Sequence, residues 1–215
     1  MEKQIVTQHT AIYCNDNPWS LLRTGIEKLN PTKIFILVDT NTHEHCHELF
    51  IKNAGINTPV ETIIMPSGEK NKTIHTCMDI WTTLSEKGAD RSSLLINLGG
   101  GVVTDLGGFV ASTFKRGIEF INIPTSLLAM VDASIGGKNG LDLGMLKNQI
   151  GVVNNPRFVI VDPTFLNTLP KQEITSGFAE MLKHALIDSK DYWEQLQGFD
   201  ITNLKNTHNL IWKSI

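Results

Sequence analysis

Leu94-Leu95-Ile96-Asn97-Leu98-Gly99-Gly100-Gly101-Val102-Val103-Thr104-Asp105-Leu106-Gly107-Gly108 is the stretch from which the fold can be read. A short, almost uninterrupted apolar run predicts a strand covered on both faces. Three glycines follow, and then a segment of helical character up to Ala111, so the order is strand, glycine turn, helix start. Glycines let backbone N–H groups approach a phosphate, and a helix N-terminus adds positive partial charge there. The strict G-x-G-x-x-G fingerprint fails because Thr104 stands where the third glycine belongs, and no Gly-Lys-Ser/Thr follows. Two interpretations stay open: a diphosphate cradle, or a βα turn whose glycines permit close helix packing.

Working outward, Ile34–Val38 is expected as the first buried strand, with Leu94–Leu98, Phe120–Ile123 and Phe158–Val161 after it and Val60–Met65 as a further one. Helical patterns lie between them. The clearest puts Ile74, Cys77, Met78, Trp81 and Leu84 on one face before Gly88. Such alternation predicts an α/β fold, a Rossmann-like, mainly parallel sheet with flanking helices. After Pro170 the spacing is helical throughout, which places an α/β domain over 1–170 and the beginning of an all-helical domain over 171–215. Leu210–Ile215 keeps helical spacing to the last residue and reads as an interrupted helix.

The chain has 215 residues, 41% of them hydrophobic and 19% charged, enough for one full core and the start of a second. A net charge of −3 and the lack of a basic cluster alternating with aromatics argue against nucleic acid as a partner. Cys14, Cys46 and Cys77 are odd in number and contain no CxxC pair, which suggests a reducing cytoplasm. Met1-Glu2-Lys3-Gln4 leads into no apolar signal core, and no run approaches the ~20 apolar residues of a membrane span.

Several polar clusters are candidates for chemistry. Asp39 ends a buried strand, where it suits ribose hydroxyls or a helix cap. Pro66–Lys72, with Glu69 and Lys72, reads as a polar turn in preference to a cofactor-edge loop. Pro124-Thr125-Ser126, Asp132–Gly140 with Lys138, and Lys147-Asn148 gather lysines, amides and glycines fit to bind a phosphate, although a solvated loop has the same composition. Glu180, Lys183 and His184 share one helix face, which suits a metal ligand beside an acid/base group or a surface ion pair. His43-Glu44-His45-Cys46-His47 matches HExxH literally, but it opens a short helix after a strand and has no third ligand, so a polar helix start is preferred.

Taken together these residues resemble the 3-dehydroquinate synthase family and its sugar-phosphate cyclase relatives. The ordered blocks are Asp39, Gly68-Glu69-x-x-Lys72, Gly99-Gly100-Gly101-x-x-x-Asp105, Lys115-Arg116-Gly117, Pro124-Thr125-Ser126-Leu127-Leu128-Ala129, Val131–Lys138 and Ser176-Gly177-x-Ala179-Glu180-x-x-Lys183. Ser126 stands where the family more often has Thr. The resemblance implies an NAD- and metal-dependent lyase of the shikimate route to aromatic amino acids. It would cyclise 3-deoxy-arabino-heptulosonate 7-phosphate to 3-dehydroquinate, release phosphate and regenerate NAD in each turnover. It also implies that Asp39, Glu69, Lys72, Gly100, Gly101, Asp105, Thr125, Lys147 and Thr168 hold NAD, with Gly99, Ser126 and Lys138 completing that set. Asp132, Arg116, Lys138, Asn148 and Lys183 would serve the substrate, Arg116, Lys138 and Asn148 around its phosphate, and Glu180 would ligate zinc or cobalt.

Two further metal histidines are expected in such proteins from a later Gly-His-Thr segment, which does not occur here. A lone carboxylate predicts weak zinc binding and slow or no turnover by this chain. The alternatives are a cyclase making 2-deoxy-scyllo-inosose or a valiolone, a glycerol-dehydrogenase-like enzyme, and a non-catalytic NAD-binding module. A homodimer is common in the family.

Overall fold

A computed structural model describes residues 4–14, 17–56, 58–199 and 207–215. The strands are β1 (Gln4–Val6), β2 (Ala11–Tyr13), β3 (Ile34–Asp39), β4 (Val60–Met65), β5 (Leu94–Gly99), β6 (Glu119–Pro124), β7 (Lys138–Leu143), β8 (Leu146–Val153) and β9 (Phe158–Ile160). Seven of them form one sheet in the order β1-β2-β9-β6-β5-β3-β4, parallel everywhere except between β1 and β2. The helices are α1 (Trp19–Leu29), α2 (Thr40–His45), α3 (His47–Ala54), α4 (Ile74–Glu86), α5 (Gly101–Thr113), α6 (Lys171–Asp188), α7 (Lys190–Leu196) and α8 (Thr207–Ser214). This is a Rossmann-like α/β fold.

The central strands alternate their side chains between two cores, as the pleat requires. Ile34, Ile36, Val38, Leu94, Ile96, Leu98, Ile121 and Ile123 face one cluster. Phe35, Leu37, Leu95 and Phe120 face the other, against Cys77, Ile80 and Leu84 of α4 and Val103, Leu106 and Val110 of α5. Both faces are covered by helices, so these strands carry apolar residues at nearly every position, Asn97 of β5 and Asn122 of β6 excepted. Ile174, Met181, Ala185, Tyr192, Leu196 and Ile211 from the last three helices join the first cluster. Among the described residues no helix is long and apolar enough to cross a membrane.

Three expectations are corrected. Ile34–Val38 is the third strand, not the first, because β1 and β2 are three residues each, too short for a hydrophobic period to register. The buried face of α4 is Thr76, Cys77, Ile80 and Leu84, whereas Ile74 and Met78 are exposed. Cys77, Ile80 and Leu84 together reach the core beneath the sheet with Trp81 packed against them, so the sequence pattern missed Ile80 and overcounted Ile74 and Met78. The segment containing Lys138 and Asn148 is not a loop. β7 and β8 form an antiparallel hairpin closed at Leu143↔Leu146, with Gly144 left-handed at φ 61°. Gly140 and Gly151 face each other in it, and a Cβ on Gly140 would lie 2.6 Å from the Ile150 carbonyl oxygen. Glycine therefore serves close backbone approach between the strands.

A buried hydrogen bond ties α1 to the segment that follows β9: Trp19 Nε1 donates to Asp162 Oδ2 at 3.1 Å, and Asp162 Oδ1 caps the 3-10 turn Pro163–Thr168 through Thr164 N. Trp19→Phe is expected to cost about 1–2 kcal/mol by leaving that carboxylate oxygen short of a donor. Urea unfolding checks this, and an unchanged midpoint would count against it.

Candidate functional site

In this strand order the chain turns outward from β3 to β4 and then returns across β3 to β5. The C-terminal ends of β3 and β5 thus flank the topological switch point, where open α/β sheets leave a crevice. Asp39 ends one of these strands and Gly99-Gly100-Gly101 leaves the other.

Gly100 caps α5 with extended backbone, no side chain caps that helix, and no acidic residue occupies its first turn. Among the described residues no side chain is seen capping its first backbone N–H groups. None of the three glycines has positive φ; they matter through space. A Cβ on Gly99 would meet Val103 at 2.5 Å, one on Gly100 would meet the Ser126 hydroxyl at 3.2 Å, and one on Gly101 would meet Ala133 at 3.3 Å. Close packing and an open helix terminus, the two interpretations of this turn, coexist in one element.

On the β3 side, the Asp39 carboxylate accepts from Thr42 N at 2.8 Å and from the Thr42 hydroxyl at 3.0 Å, forming a capping box for α2. Thr125 and Thr168 come together beside the buried Cys46 thiol, whose ionisation burial pushes up to about 11 even though hydrogen bonds from both hydroxyls oppose it. Asp39, Thr125 and Thr168, far apart in sequence, thus surround one spot. Ser126 accepts from Ala129 N at 3.3 Å and holds the turn into the π-helical segment Ala129–Ala133 that carries Asp132.

On the β5 side, Lys72 is 4% exposed and donates to Asp105 Oδ2 at 2.6 Å and to Asn148 Oδ1 at 2.7 Å. The sequence favoured a simple turn over Pro66–Lys72. Glu69–Asn71 is indeed a 3-10 turn closed by Asn71 to the Ser67 carbonyl, but Lys72 leaves it to enter this network. Burial raises the Asp105 carboxyl from 3.8 to about 6, while Lys72 pulls it down and Glu69 and Asp132 push it up. Asn148 is left-handed at φ 54°, fixed by its N–H to Asp142 Oδ1 at 2.7 Å. Lys147 pairs with Glu69 at 3.1 Å, an exposed bridge of small energetic weight.

Asp105, Asp132, Lys138 and Asn148 line a cleft of about 550 Å³ between α5 and the β7–β8 hairpin. At its Asp132 end, α6 presents Glu180, Lys183 and His184. Lys183 bonds the Glu180 carboxylate, which together with Asp132 holds its ammonium above the usual lysine range. His184 Nε2 lies 3.2 Å from Glu180 Oε1, and its Nδ1 lies 2.7 Å from the Ser214 hydroxyl. Arg116 is not in this cleft. It follows the C-terminal end of α5, about 20 Å along a 13-residue helix from the glycine turn, in a separate depression with Asp90, Arg91, Thr113 and Lys115. Lys115 and Arg116 are both left-handed, at φ 49° and 71°.

The HExxH match is divided by a non-helical Cys46, with His43 ending in α2 and His47 opening α3. The two rings are 5.1 Å apart, and His47 bonds the Thr62 hydroxyl. Desolvation, and then His43, lower the His47 pKa. The polar helix start is what forms.

Sequence reasoning missed the support beneath Asp132. Asn97 Nδ2 donates to Asn122 Oδ1 at 2.9 Å across β5 and β6, Asn122 donates to the Ser134 carbonyl at 3.2 Å, and Ser134 donates to the Ala129 carbonyl at 2.7 Å. Two asparagines inside otherwise apolar strands were the available signal.

The family described as 3-dehydroquinate synthase N-terminal matches residues 62–176. A 3-dehydroquinate synthase of Parabacteroides distasonis is 42% identical over 212 residues, 98% of this chain and 60% of that protein. The chain therefore spans about three-fifths of that curated relative. Among solved structures, a 2-deoxy-scyllo-inosose synthase complexed with carbaglucose-6-phosphate, NAD+ and Co2+ superposes with TM-score 0.84 at 23% identity, over 100% of this chain and 62% of that one. A 2-epi-5-epi-valiolone synthase from Streptomyces hygroscopicus, with NAD+ and Zn2+ bound, superposes with TM-score 0.86 at 22% identity, over 98% and 60%. At these identities the two structures support the fold.

Proposed function

Because this chain belongs to the 3-dehydroquinate synthase family, we propose that it is the NAD-binding part of a 3-dehydroquinate synthase, with 171–215 the beginning of its helical metal and substrate domain. The observation that carries this is a cleft lined by Asp105, Asp132, Lys138 and Asn148, in which Asp105 and Asn148 are held by Lys72 and Asp132 approaches Glu180 and His184.

The residues fit the implied groups. The free N–H groups of α5 suit a diphosphate, and Asp39, exchanging its cap partners, suits ribose hydroxyls. NAD+, when bound, supplies reversible hydride transfer at a carbinol carbon, and a divalent metal supplies polarisation of hydroxyl oxygens. The protein's own part is positioning. Lys138 and Asn148 hold the departing phosphate of 3-deoxy-arabino-heptulosonate 7-phosphate from the hairpin side, and Asp132 with Lys183 takes the hydroxyl face opposite. Asp105, ionised at neutral pH and paired with Lys72, fixes the Lys72 ammonium and with it the Asn148 carbonyl.

Calorimetric titration with NAD+ is expected to show saturable 1:1 binding, and phosphate release from 3-deoxy-arabino-heptulosonate 7-phosphate is expected to need NAD+ without accumulating NADH. Release from a different sugar phosphate would point to another cyclase. NAD+ binding with no release from any sugar phosphate would favour a binding module, and no NAD+ binding would end the proposal.

A further inference from the structure

We infer that His43 and His47 form a two-imidazole chelate at the α2–α3 junction for a borderline divalent cation such as Cu2+, Ni2+ or Zn2+. The pair uses no residue of the proposed cofactor, substrate or metal set, so it does not depend on the cyclase reading. Its two ring centroids are 5.1 Å apart with the planes tilted by 35°. Imidazoles bound at ~2.1 Å to one tetrahedral zinc have ring centres about 5 Å apart, so the spacing is that of two ligands of one ion. A stacked pair in the same molecule, Phe178 and Phe199, is closer and nearly parallel, at 4.5 Å and 11°. Cys46 leaves helical geometry between the two histidines, yet its N–H still bonds the Thr42 carbonyl and its own carbonyl accepts from Phe50 N. The chain therefore keeps its helical course through the break, and residues four apart stay on one face.

His47 is the fixed half of the pair. Its Nε2 lies 2.9 Å from the Thr62 hydroxyl of β4, which leaves Nδ1 as its ligand nitrogen. One ring nitrogen tethered by a hydrogen bond, with the other left for an ion, is the arrangement that outer-shell partners impose on metal-binding histidines. Phe50 and Ala54, buried in the core, seat the helix that carries it. His43 is exposed and adjusts by side-chain rotation. Among the described residues no carboxylate, thiol or further imidazole joins the pair in one coordination sphere, so water fills the remaining positions and the ion exchanges readily. Two imidazoles follow the order Cu2+ above Ni2+ and Zn2+, whereas Mg2+ and Ca2+, which take oxygen ligands, do not compete. A bound ion clamps α2, capped by Asp39, to α3 across Cys46, whose thiol lies beside Thr125 and Thr168. The HExxH match thus keeps the metal affinity of its histidines without the third ligand that hydrolysis requires.

The test titrates the chelator-stripped chain with Ni2+ by calorimetry under excess Mg2+, and loads it with Cu2+ for electron spin-echo spectroscopy. Both are repeated in Glu180→Gln, so that the carboxylates facing the cleft do not hold the ion. One Ni2+ is expected to bind in either background, and the Cu2+ modulation is expected to count two imidazoles. His43→Asn and His47→Asn, each added to Glu180→Gln, are expected to weaken Ni2+ by roughly tenfold or more and to leave one imidazole on Cu2+, because a chelate loses its second anchor. No Ni2+ binding in Glu180→Gln overturns the inference. So does modulation from a single imidazole, or Ni2+ affinity that either histidine variant leaves unchanged. His43 is exposed, so His43→Asn keeps the fold and decides the matter by itself if His47→Asn unfolds. Circular dichroism of each variant confirms that the helices persist.

Discussion

Lys72→Met is expected to lower folding stability by about 3–5 kcal/mol at neutral pH, because it strands a buried carboxylate whose partner is gone. Lys72 is 4% exposed and Asp105 20%, so water replaces little of the lost interaction. Burial already raises the Asp105 carboxyl to about 6 against the opposing pull of Lys72. A carboxyl raised above its unfolded value contributes stability that is fully present below about pH 4 and is lost as pH rises through about 6. Deleting Lys72 removes the influence that limits that loss, so the destabilisation grows toward pH 7.5 and shrinks toward pH 5. Urea midpoints at those two pH values measure it, and an equal penalty at both would refute the account. Lys72→Met combined with Asp105→Leu is expected to recover most of the stability, since no charge is left unpaired. NAD+ binding should not recover in the double variant, which separates the pair's structural role from its proposed place at the cofactor.

Gly177→Val is expected to destabilise by about 3 kcal/mol or more, and Gly177→Ala by about 2, although Ala in a helix ordinarily gains about 1 kcal/mol over Gly. A Cβ at Gly177 would lie 2.5 Å from both the Leu127 Cβ and the Leu128 backbone nitrogen. Neither belongs to the flexible end of a side chain, so relief requires α6 to move away from the turn leading to Asp132. Glu180 and His184 follow Gly177 on α6, and that movement separates them from Asp132. Thermal unfolding and Co2+ affinity should therefore fall together. A stabilised Gly177→Ala would show that α6 is not seated there, and lost stability with unchanged Co2+ affinity would separate the packing from the metal cluster.

Much of the frame was legible in the residues. Ile34–Val38, Leu94–Leu98 and Phe120–Ile123 announced buried parallel strands because helices cover both sheet faces and favour apolar residues on each, Asn97 and Asn122 being the exceptions. The change to helical spacing after Pro170 matches α6 beginning at Lys171. The hairpin was harder to see: Lys138–Val153 has glycines where its strands touch and exposes Leu143, Met145, Leu146 and Val153 beside Lys147, Asn148 and Gln149, so no clean two-residue alternation marks it as a hairpin. α4 was placed correctly and Cys77, Trp81 and Leu84 do face the core, but Ile80 was missed and the exposed Ile74 and Met78 were counted with them, since a period fixes a helix more closely than the edges of its buried stripe.

The glycine turn shows the division most clearly. Sequence alone determined that a strand ends at Gly99, that a helix begins beyond it, and which polar residue types accompany them, because periodicity and backbone preference are local properties. Only the tertiary structure decided that Lys72 neutralises Asp105 and holds Asn148, 76 positions away, and that Asp132 meets Glu180 and His184 while Arg116 lies elsewhere. Those pairings depend on which charges are withdrawn from water together, and withdrawal from water is a property of the packed sheet and helices, not of any segment within it.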